Sequence, residues 1–191
     1  MKNLNSPACQ CHKENCWLVS YIYFMKYILL ATAFLMFSIT SIAQSFQIKD
    51  LSTSVGIWEG KLTYLDYTSG KPYTMVANIR ISLTDTKTGY IMGYEYPKEP
   101  QANSKDTTYL VDKLFGKEKI VSFKKDANDG FRLVTEIAGE DGNDHKKAIL
   151  RHTYLLISNT YSIMKEVKFE ESDVWIKRNE YTLNRESKGL K

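Results

Sequence analysis

The chain has 191 residues, 26 Lys and Arg against 22 Asp and Glu, a formal net charge of +4, and three cysteines that all fall within its first sixteen positions. With 43% hydrophobic and 25% charged residues it has the composition of a globular protein and not of a disordered one. No basic block or Lys/Arg stripe of the kind nucleic-acid binding needs is present, and the cysteines leave nothing beyond residue 16 with which to build a disulfide.

The first segment that reads clearly begins at Met25, MKYILLATAFLMFSITSIAQ. One lysine precedes an apolar run over 27–39, and Ser41 and Ala43 supply small side chains at the −3 and −1 positions of a secretory signal peptide. Cleavage is expected between Ala43 and Gln44, releasing the product to the periplasm or the outside of the cell with no membrane attachment. The run is shorter than the ~20 apolar residues a spanning helix requires. If translation starts at Met1, apolar residues extend back to Trp17 across Lys26, and an uncleaved anchor is the alternative. Residues 1–24 read as an upstream extension or leader, in which Cys9, Cys11, Cys16 and His12 fit no zinc-ligand spacing. The expected organisation is therefore 1–24 extension, 25–43 signal peptide and 44–191 folded domain. Removing Lys2, Lys13, Lys26 and Glu14 with the leader lowers the net charge to +2.

Residues 44–191 suffice for one domain with a core. They hold ten tyrosines and two tryptophans among many Thr, Val and Ile, which suit a pleated, half-buried surface. QSFQIKDLSTS, with Phe46, Ile48 and Leu51, reads as a short helical turn that plugs one end of a barrel. Period-two alternation then predicts nine strands, over 57–67, 73–83, 90–96, 107–115, 119–125, 131–138, 148–157, 161–169 and 174–185. The first puts Trp58, Gly60, Leu62 and Tyr64 on one face, and the second does the same with Met75, Ala77, Ile79 and Ile81. The third carries Tyr90, Met92 and Tyr94 and ends before Pro97. The stretch KEPQANSKD, 98–106, reads as the longest loop, and Gly116 as a hinge between the fourth and fifth strands. Nearly all connections are tight turns, so the strands pair in sequence. Rolling such a meander shut removes its two unpaired edges, giving an all-β, antiparallel up-and-down barrel of about 8–10 strands. That size encloses side chains or one small ligand.

Gly56-Ile57-Trp58 at the mouth of the first strand, after a short helical turn, resembles the Gly-x-Trp of the lipocalin and wider calycin superfamily. The resemblance covers the layout of 44–191, in the manner of the minimal lipocalin-like domains of bacterial exports. It implies that Trp58 closes one end of the barrel and that a basic residue of the last strand packs over its face. Arg185 is the first candidate for that place and Arg178 the second. Gly60, on the same face, admits a neighbouring strand or the plug at close range. The T-D-Y motif usual in lipocalins is missing, as are their disulfide and the helix after the last strand.

No catalytic, metal or cofactor motif stands out: there is no G-x-S-x-G, no H-E-x-x-H and no glycine-rich phosphate loop. DANDG, 126–130, opens like a calcium loop, but Ile137 stands where the bidentate Glu would be needed, so it reads as a hairpin turn. His145 sits in the polar turn GEDGNDHKK and reads as solvated. His152 is mid-strand and faces either solvent or the cavity, where it would be positioned for a haem iron as in haem-binding calycins. The parity of the late strands places Lys165 and Lys177 beside core residues, with Tyr181 on the same face. With Tyr64, Tyr90, Met92 and Tyr94 they form the expected interior ligand site, the lysines serving an anionic head group unless a bulge reverses the parity. The leading functional expectation is a secreted barrel that binds a small hydrophobic or amphipathic ligand. A filled, non-catalytic barrel presenting 98–106 and neighbouring turns to a protein partner is the alternative. A haem-binding or enzymatic calycin is the third, and a cavity holding a carboxylate close to His152 would favour the enzyme.

Overall fold

Among the described residues, alternation of apolar and polar side chains is realised as ten antiparallel strands: β1 Gly56–Leu65, β2 Pro72–Leu83, β3 Gly89–Glu95, β4 Ser104–Val111, β5 Leu114–Phe115, β6 Glu118–Lys125, β7 Phe131–Asp141, β8 Lys146–Ile157, β9 Thr160–Phe169 and β10 Ile176–Arg185. The computed structural model describes residues 25–26, 46–126 and 128–186. The expected cleavage site at Ala43, and Cys9, Cys11, Cys16 and His12, lie outside the described residues. Contacts along the chain define a compact unit from Phe46 onward. Each strand pairs with its sequence neighbours and β1 pairs with β10, so the sheet is a closed up-and-down barrel.

Three connections depart from the sequence expectation. The single strand over 107–115 is two strands, because Asp112 and Lys113 both adopt positive φ (48° and 68°) and turn the chain between β4 and β5. Gly116, at φ 67°, makes the second turn, into β6. The loop over 98–106 is shorter than expected, since a 3-10 turn, Pro100–Ala102, delivers the chain into β4 at Ser104. The long polar turn contracts likewise: β7 runs through Gly139 and Glu140 to Asp141, leaving Gly142 and His145, both at positive φ, to reverse the chain. At DANDG the Asp126 side chain accepts hydrogen bonds from the backbone N–H groups of Asn128 and Gly130, both at 2.9 Å, and Asp129 takes the positive φ.

The closed end holds most of the core. The 3-10 helix Ile48–Ser54 buries Ile48 and Leu51 in the core cluster that also holds Trp58, Tyr161, Ile79, Leu183 and Phe131. Burying each such side chain contributes about 1.5–3 kcal/mol. The helix is tethered by Asp50, which accepts from the Gln47 N–H at 2.8 Å and pairs with Lys125 Nζ at 2.7 Å.

Trp58 is completely buried and donates its indole N–H to the Ser54 carbonyl at 2.7 Å. The Arg185 guanidinium sits 4.2 Å above the indole ring and donates to the carbonyls of Val55 at 2.8 Å and Thr53 at 2.5 Å. The flanking glycines make room for this arrangement. A Cβ on Gly56 would stand 2.8 Å from an Arg185 Nη, and Gly56 also has φ +144°. A Cβ on Gly60 would fall 2.2 Å from the Thr182 carbonyl oxygen, so β1 and β10 meet at this distance only without one. Arg178, the second candidate for the place over Trp58, lies elsewhere, in contact with Asp141.

Candidate functional site

Register fixes what lines the barrel between the plug and the mouth. Leu133, Tyr154, Ile163, Tyr181, Leu62 and Met75 follow one another in register from β7 through β8, β9, β10 and β1 to β2, all on the inner face. They form an apolar belt around that wall. The next inward belt toward the mouth is polar: Thr135, His152, Lys165, Asn179, Tyr64 and Tyr73. Glu118 of β6 joins it by accepting a hydrogen bond from the Thr135 hydroxyl.

Two groups of charged side chains fill this upper interior. In the first, Glu118 Oε1 lies 2.9 Å from His152 Nδ1. The approach is at ion-pair distance but off the line of a hydrogen bond, and Nδ1 is otherwise buried without a partner. Burial pushes the Glu118 carboxyl up, but His152, the Thr135 hydroxyl and the charge of Lys165 outweigh it and hold the group below its ordinary value. In the second, Asp141 is a hub. Its side chain is 3% exposed and accepts from Lys165 Nζ at 2.9 Å, Arg178 Nε at 2.6 Å and the Tyr67 hydroxyl at 3.0 Å. Burial raises this carboxyl too, and the bonds from Lys165 and Tyr67 with the two cationic charges bring it below the usual range.

Asp141 sits at the tip of the β7–β8 hairpin, well beyond Thr135, the β7 residue that lies level with Lys165 through His152. To reach Lys165, Arg178 and Tyr67 the hairpin tip must curl inward over the mouth. A second link crosses from β3 to β10: Tyr94 and Tyr181 rings are 5.6 Å apart, and the Tyr96 and Tyr181 hydroxyls share a hydrogen bond of 2.6 Å. Water still enters between these links. Glu118, His152 and Lys165 point inward yet keep 19%, 23% and 21% of their side-chain surface exposed. Beside the hairpin tip, Leu65, Tyr67, Gly142, Phe169 and Arg178 line a cleft of about 490 Å³.

The expected site residues divide between these regions. Tyr64, Tyr94, Lys165 and Tyr181 line the upper interior. Tyr90 does not: it is fully buried in the plug, its hydroxyl bonded to Ser54 Oγ at 2.7 Å and Tyr161 Oη at 3.1 Å, and burial pushes it up to about 12. Met92 is buried below Tyr94, whose hydroxyl contacts its sulfur at 3.6 Å. Lys177 is a correction. A bulge between Lys177 and Asn179 reverses the parity of β10, so Lys177 faces solvent, more than half exposed, and pairs with Glu180 at 2.8 Å. The same bulge turns Arg178 to Asp141, between the rings of Tyr67 and Phe169 at 4.7 and 5.6 Å.

Glu118, Thr135, Asp141 and Arg178 were not expected in the site. Glu118 was legible from the parity of Ile120 once β6 is begun one residue earlier. Asp141 was hidden because its segment reads as a turn. Among the described residues no group of three or more His, Cys, Asp or Glu side chains is gathered to hold a metal ion, and no helix is long and apolar enough to cross a membrane. Comparison with known protein families and with curated proteins gives no match to this chain.

Proposed function

We propose that the chain is an exported barrel of lipocalin-like type that binds a small amphipathic molecule through its mouth. The apolar part lies against Ile163, Leu62, Tyr181 and Tyr94, and the polar end meets the ring of Glu118, His152, Lys165 and Arg178. One observation carries this reading: inward-facing polar side chains remain wet above an apolar belt, the arrangement that orients an amphipathic guest. The closed barrel and the Gly-x-Trp plug with Arg185 over the indole support the calycin likeness. The leader sequence supports export. Native mass spectrometry of the protein purified from a secreting host tests the proposal. A co-purified small-molecule mass that Leu62→Trp or Ile163→Trp displaces is the expected result, and absence of any guest together with no uptake of apolar fluorescent probes refutes it.

A second reading has its own observation. Tyr109, Val111, Leu114 and Val121 are exposed on the outer face of β4, β5 and β6, with Val111 and Leu114 paired across strands. They would serve a protein partner, and the 98–106 segment, which has no buried residue, would flank that contact. Replacing Val111 and Leu114 by Lys would then abolish partner capture without altering uptake of small molecules.

A further inference from the structure

The edge that His152 presents to the mouth identifies the chemistry of the guest. Its Nδ1 has no exposed surface and faces Glu118, while nearly a quarter of the side chain is exposed. Nε2 is not among the buried atoms left without a partner and makes no hydrogen bond among the described residues, so it is the nitrogen open to a guest. A carboxylate beside Nδ1 favours the tautomer with the proton on that nitrogen, leaving Nε2 as an acceptor. Thr135 fixes Glu118 from the other side.

The surrounding charges are already matched. With His152 neutral, the two cations Lys165 and Arg178 balance the two carboxylates Asp141 and Glu118. An anionic guest would meet Glu118 and Asp141, and a cationic one Lys165 and Arg178, so a neutral polar group costs least here. Aromatic side chains line the belt below: Tyr154, two residues from His152 on the same face of β8, lies level with Ile163 and then Tyr181, against which Tyr94 packs. Rings favour offset or edge contacts with other rings. An acidic hydroxyl is the donor best matched to a carboxylate-held imidazole.

We infer that the mouth selects a neutral phenol, its hydroxyl donating to His152 Nε2 and its ring lying against Tyr94 and Tyr181. This rests on the mouth-binding reading above.

Equilibrium dialysis of the full chain with p-cresol and with its methyl ether, p-methylanisole, tests it. The two probes differ in the donor, so a preference for the phenol reads the hydrogen bond; both are neutral in mildly alkaline buffer, where an ordinary imidazole is unprotonated too. The wild type is expected to bind the phenol about tenfold or more tightly than the ether, the factor a net hydrogen bond of ~1.4 kcal/mol gives. His152→Phe is expected to bind both probes alike, and Glu118→Gln, which keeps the side-chain volume, to reduce the preference. Circular dichroism establishes that both variants are folded. Equal binding of the two probes by the wild type, or an undiminished preference in folded His152→Phe, overturns the inference while leaving mouth binding intact. If neither probe binds and the neutral apolar fluorophore N-phenyl-1-naphthylamine also fails, mouth binding and the phenol inference fall together.

Discussion

Replacing Arg185 by Met tests the idea that one side chain fastens the plug to the last strand. Met keeps an apolar stem over the indole but removes the two bonds to the Val55 and Thr53 carbonyls and the cation above the ring. A hydrogen bond to a charged donor contributes about 1.5–3 kcal/mol and a cation–π contact about 0.5–2 kcal/mol. Arg185 is partly exposed, so the low ends of those ranges apply, and the two bonds and the ring contact together come to ~3.5 kcal/mol. For a domain of this size that corresponds to roughly 10 °C in melting temperature. Urea denaturation followed by circular dichroism should show a lower midpoint at an unchanged slope. Arg185→Lys should recover only part of the loss, because a single ammonium on a shorter reach does not serve both carbonyls and the ring together. A loss below about 0.5 kcal/mol in Arg185→Met, within the range of an ordinary surface change, would refute the fastening role.

Gly60→Ala should be costlier than its size suggests, about 3 kcal/mol or more, because the added Cβ meets the Thr182 carbonyl and the Leu183 Cα and not a movable side chain; a thermal melt reads it. Asp141 and Glu118 are both held below their ordinary values in the fold. Their stabilisation is therefore complete above the usual carboxylate range and lost as pH falls through the depressed native values. Stability should drop below about pH 4, and Asp141→Asn should flatten that decline in a pH series of urea midpoints. Lys177→Met should leave guest binding and stability within about 0.5 kcal/mol of wild type, as for an exposed pair. Arg178→Met, by contrast, should loosen the hairpin tip, read as faster amide exchange at Gly142 and its neighbours.

The barrel was legible because β1, β2, β7, β8 and β9 alternate cleanly and their turns carry Gly, Asn or Asp. The plug was legible because Trp58 stands between two glycines that have no other evident use in a strand. What escaped were features that depend on a single residue's backbone. Asp112 and Lys113 turn the chain with no glycine to announce it, since the two-residue hairpin between Val111 and Leu114 demands positive φ at both. The β10 bulge exchanges Lys177 for Arg178 on the inner face, and no spacing rule marks it because both neighbours are charged. Asp141 escaped for a third reason. Its segment is polar enough for a loop, and only the far-off Lys165, Arg178 and Tyr67 give a buried carboxylate its partners.

The seam between β1 and β10 has a kinetic consequence. The first strand to be synthesised is completed only by the last, across the longest separation the chain offers, and pairings of that kind are slow to form. Until β10 arrives, both rims of the sheet stay open to solvent and to other chains. A polypeptide cut short before Arg185 would forfeit the fastening of the plug, and one cut before Asn179 the seam as well, so truncation within β10 should cost more than a comparable loss from any hairpin tip.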